Sequence, residues 1–408
     1  MHARGWPYPG AVATASLSPA RRAAHAVVRR TLAEGAYADR ALQGEARGLQ
    51  PRDRALAKQL AFGTVQRRLT LDDVIARHVD RPLEPAVRAA LQLGLFQLLF
   101  LDGVAAHAAI GEAVELAKPS PGHRLVNAVL RRVQREGAEL PADDTPKGAA
   151  LRHSHPRWLV DLWWQWLGPD ETRALLAADN EPAELALRVN PLVEYDLDDI
   201  PGRREREAIV VEGAFDALAH PGYAAGAFTP QSRASQLVAH TLAPVADERI
   251  LDLCAAPGGK TTQLAALMQG MGEIVAVERH PQRARALEAS CARMRATNVI
   301  VVTADAKVFD ADHGFDRVLL DPPCSGLGTL RSHPDLRWRV TPKAIEQLAV
   351  EQDALLAAAQ RALRPGGTLV YSVCTLSPAE ERLVTDAVRR TFPHREGTDG
   401  FYIARDGG

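Results

Sequence analysis

From Arg249 onward the chain repeats one unit: a short apolar run, a loop, then a helical stretch. The runs are Ile250 to Cys254, Glu273 to Glu278, Val299 to Asp305, Phe315 to Asp321 and Thr368 to Val373, all rich in Val, Ile and Leu. Helical patterns separate them at Thr261 to Met268, Pro281 to Ala296 and Pro342 to Ala362. Strands that are apolar almost throughout, rather than alternating with polar residues, are buried on both faces. That is the pattern of a mostly parallel sheet with helices on each side, an α/β Rossmann-like fold. In such a sheet a ligand sits beyond the carboxyl ends of the strands, so those ends deserve the closest reading.

The N-terminal third obeys a different period. Arg21 to Leu32, Pro51 to Val65, Leu71 to Ala76, Glu84 to Phe100, His107 to Leu116 and Pro121 to Val133 carry apolar residues at spacings of three and four. Ser18-Pro19 fits a helix N-cap followed by Pro at the first position. The most apolar stretch, Ala89 to Leu101, is broken by Gln92 and Gln97 and is too short to span a bilayer, so it reads as a buried helix. These features predict an all-α domain over 18–136, after a disordered segment 1–17. Gly137 to Ala150, with its Pro, Gly and acidic content, predicts a linker over 137–154. Residues 155–246 mix a tryptophan-rich helix (Trp158, Trp163, Trp164, Trp166), short strands at Ala186 to Val189 and Ala208 to Val211, and a helix from Gln231 to Leu242. They predict a small α+β subdomain before the 247–408 domain, with the tryptophans serving hydrophobic docking rather than base stacking.

Charge divides along the same line. Residues 20–140 hold 19 Lys and Arg against 13 Asp and Glu, whereas 141–408 hold 29 against 37. A basic helical region joined to an acidic α/β one suggests divided labour, with nucleic acid on the basic part. Four cysteines without a close CxxC pair argue against a disulfide framework and against a metal site, and point to a reducing cytoplasm. The first twenty residues, interrupted by three prolines, do not read as a signal peptide, and no membrane association is expected.

The first strand runs into Asp252-Leu253-Cys254-Ala255-Ala256-Pro257-Gly258-Gly259-Lys260-Thr261. Glycines here let the backbone approach a ligand, and the next helix offers free N–H groups. A nucleotide triphosphate P-loop would need glycine where Cys254 stands, so that reading fails. The second strand ends at Glu278, whose carboxylate can accept from two ribose hydroxyls, and the third ends at Asp305, placed for an adenine amino group. Together they predict a site for S-adenosylmethionine.

The fourth strand ends in Asp321-Pro322-Pro323-Cys324-Ser325-Gly326 and the fifth in Tyr371-Ser372-Val373-Cys374-Thr375. Free cysteines are usually small buried hydrophobes, and Cys291 and Cys254 are read so. Two at adjacent strand ends in one crevice are better read as chemistry. Carbon 5 of cytosine is too weak a nucleophile to take a methyl group until a thiolate has added at carbon 6. Asp321 is suited to stabilising the activated ring at N3. Methylation of an exocyclic amine needs no thiol. From the residues alone either Cys324 or Cys374 could be the attacking group.

CAAPGGKT, VLLDPPCSGLGTLRSHPDLRW, GTLVYSVCTLSPAEE and DGFYIAR resemble the Nol/Nop/Sun family of RNA cytosine-C5 methyltransferases. The helical region, with AALQLGLFQLLFLDGVAAHAAIGEAVELAK and HRLVNAVLRR, resembles a NusB-like RNA-binding domain. The combination is similar to the branch that methylates 16S ribosomal RNA. The resemblance implies that Cys374 is the nucleophile, that Cys324 assists product release, and that Asp321 serves both base and cofactor. It places Cys254, Ala255, Ala256, Pro257, Gly258, Gly259, Lys260, Glu278, Arg283 and Asp305 at S-adenosylmethionine. One departure stands out: Ser232 occupies a position where the family commonly has an acid, although serine can still cap a helix. The basic loop Leu330 to Lys343, with Arg331, His333, Arg337, Trp338, Arg339 and Lys343, is expected to hold RNA, and Arg188 and Asn190 are weaker candidates for the same work. Another RNA target (transfer RNA or 23S ribosomal RNA), exocyclic-amine methylation, and a non-catalytic RNA-binding protein are the alternative readings.

Overall fold

The computed structural model describes residues 17–407 apart from 214, 310, 312 and 313. The segment 1–17 therefore lies outside the described residues, except for Leu17. The chain divides into two compact units, one ending at Leu140 and one beginning at Pro141.

The first unit is all helical: Pro19–Leu32, Ala38–Glu45, Pro51–Gln66, Arg68–Ala76, Pro85–Phe100, Ala106–Ala117 and His123–Glu136. Pro85–Phe100 is its axis, with every residue from Ala89 to Gln97 buried. The two glutamines that interrupt this apolar stretch are satisfied inside the unit. Gln92 donates to Asp72 at 2.8 Å, and Gln97 donates to the Leu93 carbonyl and accepts from Arg21 at 2.6 Å. A buried amide left without partners would cost more than it contributes, so these bonds make the helix possible. Gly63 and Gly94 face Phe96 and Leu130 so closely that a Cβ would overlap either side chain. Ser18 caps the first helix as expected, accepting from the Arg21 N–H. The helix Ala38–Glu45 was not foreseen; it lacks a side-chain cap and spans two turns.

The second unit holds two sheets. The smaller is antiparallel: β1 (Ala186–Val189), β2 (Gly202–Glu205), β3 (Ala208–Val211) and β4 (Phe228–Pro230), in the order β2-β3-β1-β4. The larger contains β5 (Arg249–Leu253), β6 (Glu273–Glu278), β7 (Val299–Thr303), β8 (Phe315–Leu320), β9 (Leu363–Val373), β10 (Ala387–Thr391) and β11 (Phe401–Asp406). Its order is β10-β11-β9-β8-β5-β6-β7, parallel from β9 to β7 and antiparallel at β11 and β10. Helices Arg233–Leu242, Gly259–Leu267 and Pro281–Arg293 bury one face, with Val238, Leu264 and Leu287 in the core. Helix Pro342–Ala362 buries the other through Leu355, Leu356 and Ala359. The strand order reverses between β5 and β8, which is where a ligand crevice opens in this architecture.

The stretch read as a linker carries a helix, Pro146–His153, with Gly148, Ala149 and Ala150 buried. Thr145 caps it, and Pro146 stands at its first turn. A Cβ at Gly148 would overlap the Ala142 carbonyl. Ala149 and Ala150 share a core with the tryptophan-rich helix, Arg157–Leu167, whose Trp163 is fully buried with Leu327, Leu330, Leu376 and Phe392. Trp163 donates its indole N–H to the Leu376 carbonyl at 2.8 Å. The tryptophans thus brace the loops that follow β8 and β9.

Among the described residues no helix is long and apolar enough to cross a membrane.

Candidate active site

Register brings the strand ends together. Leu253 on β5 stands opposite Val277 on β6 and Leu320 on β8, and Leu320 stands opposite Tyr371 on β9. The residues that follow, Cys254, Glu278, Asp321 and Ser372, therefore stand at one level, and Cys374 lies two residues further on, just past the end of β9.

At β5 the backbone turns through a left-handed Cys254 (φ 64°) into the glycine loop. Gly258 is also left-handed, at φ 102°, and a Cβ there would lie 2.7 Å from Leu287. Gly259 opens helix Gly259–Leu267. Cys254, Glu278, Arg283, Asp305 and Pro323 line one groove beside this loop. Glu278 is almost wholly buried; it accepts the His280 N–H at 2.8 Å and lies 3.5 Å from Arg283. Arg283 also donates to the Ala256 carbonyl at 2.7 Å, tying the helix after β6 to the glycine loop. Asp305 accepts the Lys307 N–H at 3.0 Å. A groove with a close-approach glycine loop at one end and two strand-end carboxylates along it fits a nucleoside with a polar tail, and so fits S-adenosylmethionine. Burial, with the carboxylates of Asp321, Asp252 and Glu278 nearby, pushes the Cys254 thiol up to about 12, so it stays a neutral wall of the groove.

Lys260 and Asp321 meet across the crevice at 2.7 Å. Burial alone would push the Lys260 ammonium down, but the Asp321 carboxylate more than reverses this and holds it above the ordinary lysine range. Ser372 donates to the other Asp321 oxygen at 2.9 Å, so that carboxylate is clamped from both sides. Behind it Asp252 is fully buried and accepts from Thr261 at 2.6 Å. Sequence reasoning missed Ser372 and Thr261 as partners. Their place immediately after an inward strand residue, or on the first turn of the glycine-loop helix, was the available signal.

The Cys324 and Cys374 sulfurs are 3.4 Å apart. The bond to Cys374, and then burial, raise the Cys324 pKa well above the ordinary thiol range. Gly328 N–H donates to the Cys374 carbonyl at 3.1 Å, so the loops after β8 and β9 are also joined through backbone.

Three residues expected to touch RNA are inside the protein. Arg188 is fully buried on β1, donating to Gln231 and Thr262 at 2.8 Å each. Asn190 donates to the carbonyls of Gly226 and Met294. Arg337 is fully buried and donates to the Ser154 and Asp179 carbonyls and to Asn180. None of these groups can reach a phosphate; each joins segments within the unit. Arg331 donates to the carbonyls of Gly397 and Pro182, and Arg339 pairs with Asp335 at 2.6 Å. His333 and Lys343 are exposed and Trp338 is half-buried. Ser232 caps helix Arg233–Leu242 through the Ser235 N–H, so the loss of the acid leaves the cap in place.

A parallel sheet reversing at β5 and β8, a glycine loop and two strand-end carboxylates define an S-adenosylmethionine-dependent methyltransferase. Comparison with known proteins narrows the class. The family described as "16S rRNA methyltransferase RsmB/F" matches residues 239–390, the "NusB family" matches 18–135, and the "Methyltr_RsmF/B-like, ferredoxin-like domain" matches 155–195. The chain is 38% identical to the "Probable ribosomal RNA small subunit methyltransferase B" of Synechocystis sp., over 90% of this chain and 93% of that one. It is 32% identical to the ribosomal RNA small subunit methyltransferase B of Vibrio cholerae, over 94% and 96% respectively. The crystal structure of PH0851 shares the fold with a TM-score of 0.78 at 24% identity, covering 95% of this chain and 98% of that one. The chain belongs to the RsmB/F family of 16S ribosomal RNA methyltransferases.

Proposed function

We propose that this protein methylates carbon 5 of a cytosine in 16S ribosomal RNA through a covalent bond between Cys374 and carbon 6 of the base. The observation that carries the reading is the pair of thiols 3.4 Å apart at the ends of β8 and β9, beside the Lys260–Asp321 pair. A methyltransferase that acts on an exocyclic amine has no use for either thiol.

Bound S-adenosylmethionine supplies an electrophilic methyl group. Glu278, Arg283, Asp305 and the Cys254–Lys260 loop would hold it. The Cys374 thiolate adds to carbon 6 as N3, where the electron pair accumulates, takes up a proton from water, and the Asp321 carboxylate accepts the resulting N3–H. The resulting enamine carries its nucleophilic density on carbon 5, which would take the methyl group as the sulfur–methyl bond breaks and its electron pair leaves with the sulfur as S-adenosylhomocysteine. Transfer of the carbon 5 proton to water, with return of the N3 proton, then restores the ring and releases Cys374 as thiolate. Cys324, held as a neutral thiol, is the proton-bearing partner of the leaving sulfur. Lys260 keeps Asp321 in place.

The same reading gives the domains their work. The 18–136 unit is a basic RNA-binding module, the 155–246 subdomain positions the RNA, and 247–408 carries catalysis in the cytoplasm, with 137–154 connecting the first to the others. His333, Trp338 and Lys343 remain the loop residues facing RNA. Bisulfite sequencing of ribosomal RNA from a deletion strain tests the target: one cytosine of 16S RNA should lose its methyl group. A full complement of 5-methylcytosine in that RNA would sink the assignment, and a loss in transfer or 23S RNA would move it.

A further inference from the structure

The Glu380 carboxylate is completely buried, six residues beyond Cys374, in the single turn Pro378–Glu380. It gathers donors from three separate segments. Oε1 accepts the Ser325 N–H at 2.8 Å and the Gln352 amide at 3.1 Å; Oε2 accepts the Ser325 hydroxyl at 2.5 Å and the Thr375 hydroxyl at 3.2 Å. Ser325 directly follows Cys324, and Thr375 directly follows Cys374. One oxygen therefore touches the residue next to each sulfur, and the two hydroxyls are themselves 2.6 Å apart. The cluster closes on itself: Gln352 also donates to the Pro323 carbonyl, and Tyr371 donates to the Glu380 carbonyl at 2.8 Å.

Burying a carboxylate costs several kcal/mol unless donors surround it, and well-packed apolar side chains join loops at lower cost. What apolar packing lacks is direction. Four hydrogen bonds converging on one rigid carboxylate fix both loops to within a fraction of an ångström, the tolerance that ordered attack and release by two thiols demands. Glu380 reaches neither sulfur by any hydrogen bond; it works through Ser325 and Thr375.

We propose that Glu380 is a positioning residue that sets the spacing of Cys324 and Cys374. The inference rests on the two-cysteine reading above. The burial of the Cys324 thiol beside this carboxylate, which raises its pKa further, agrees with it.

The test uses the full-length protein and its Glu380→Gln variant, whose amide turns one acceptor into a donor facing donors. Three quantities are measured: S-adenosylmethionine affinity by calorimetry, single-turnover methyl transfer at saturating RNA, and bridging of the two thiols by phenylarsine oxide. That reagent forms two S–As bonds with loss of water, and does so only where two thiols lie close. The expected result is a folded protein with cofactor affinity within about twofold of the unaltered protein, methyl transfer slower by roughly 10- to 100-fold, and bridging weakened to a similar degree. Ser325→Ala should act in the same direction, and the double variant should be no slower than the worse single one, because both act through one network. A folded Glu380→Gln protein that transfers methyl at the unaltered rate overturns the proposal. So does a slow variant whose thiols bridge as readily as before. If Glu380→Gln does not fold, Ser325→Ala is judged by the same two criteria. An unaltered protein that makes no 5-methylcytosine refutes the cytosine reading instead, and the arsenical measurement still judges the spacing.

Discussion

At the residue scale the proposed chemistry rests on two sulfurs, and they are not equivalent. Cys324 is the thiol held neutral, by its bond to Cys374 and by burial. If Cys374 attacks, Cys374→Ala forms neither adduct nor product. Cys324→Ala still attacks and transfers the methyl group, then stalls as a protein–RNA adduct that survives denaturation. A slowly migrating band on a denaturing gel is expected for Cys324→Ala with RNA and S-adenosylmethionine, and none for Cys374→Ala; the opposite pattern would exchange the two roles. Asp252 supports a second prediction. Burial is the main cause that moves its pKa up to about 7, against the Thr261 hydrogen bond and with help from the Asp321 carboxylate. The folded value lies above the unfolded one, near 4, so the stability this group contributes is whole below about pH 4 and lost as pH rises through 7. Melting temperatures compared between pH 5 and 8 should fall more steeply in the unaltered protein than in Asp252→Asn, which keeps an acceptor for Thr261 without the charge. Parallel slopes would show that Asp252 does not titrate there.

At the element scale the loops that carry Cys324 and Cys374 depend on a helix far away in sequence. Trp163 fills the space between Leu327 and Leu376 and bonds to the Leu376 carbonyl, two residues beyond Cys374. Trp163→Ala should lower stability by about 3–5 kcal/mol, the usual loss for a large buried aromatic. Trp163→Phe keeps much of the volume and removes the indole donor, leaving a buried carbonyl without its partner at about 1–3 kcal/mol. Chemical denaturation should rank the three proteins in that order, and an alanine variant as stable as the phenylalanine one would refute the packing account. Most strands and helices of the large sheet were legible because apolar runs and helical periods are local signals. Helix Pro342–Ala362 and strand β6 match their expected bounds. The helix Pro146–His153 was not legible, because the proline, glycine and acidic content around it reads as a linker whether or not the segment packs. Strands β10 and β11 were missed too: they pair antiparallel at the sheet edge, outside the strand–helix repeat.

At the scale of the whole molecule, a basic helical unit and an acidic α/β unit are separately compact. Each has its own core, so removing residues 1–140 should leave S-adenosylmethionine affinity intact and weaken RNA binding. The weakening should shrink as salt rises, because the contribution lost is phosphate neutralisation. Filter binding across a salt series measures it. A truncated protein with undiminished RNA affinity at low salt would show that the helical unit is not the RNA-binding part.

The sequence by itself determined the succession of the five parallel strands along the chain and the helices between them, the glycine loop, the acids at the strand ends and the presence of two cysteines there. Each is a local pattern, set by hydrophobic period or by the residue type that a turn requires. Tertiary structure decided which polar side chains face the crevice and which face the core. Arg188, Asn190 and Arg337 look like surface groups in a string of letters, and become internal ties once neighbours from distant segments surround them. Glu380 was passed over for the same reason. Its partners are 55, 28 and 5 residues away in the chain, and only folding brings Ser325, Gln352 and Thr375 to one carboxylate.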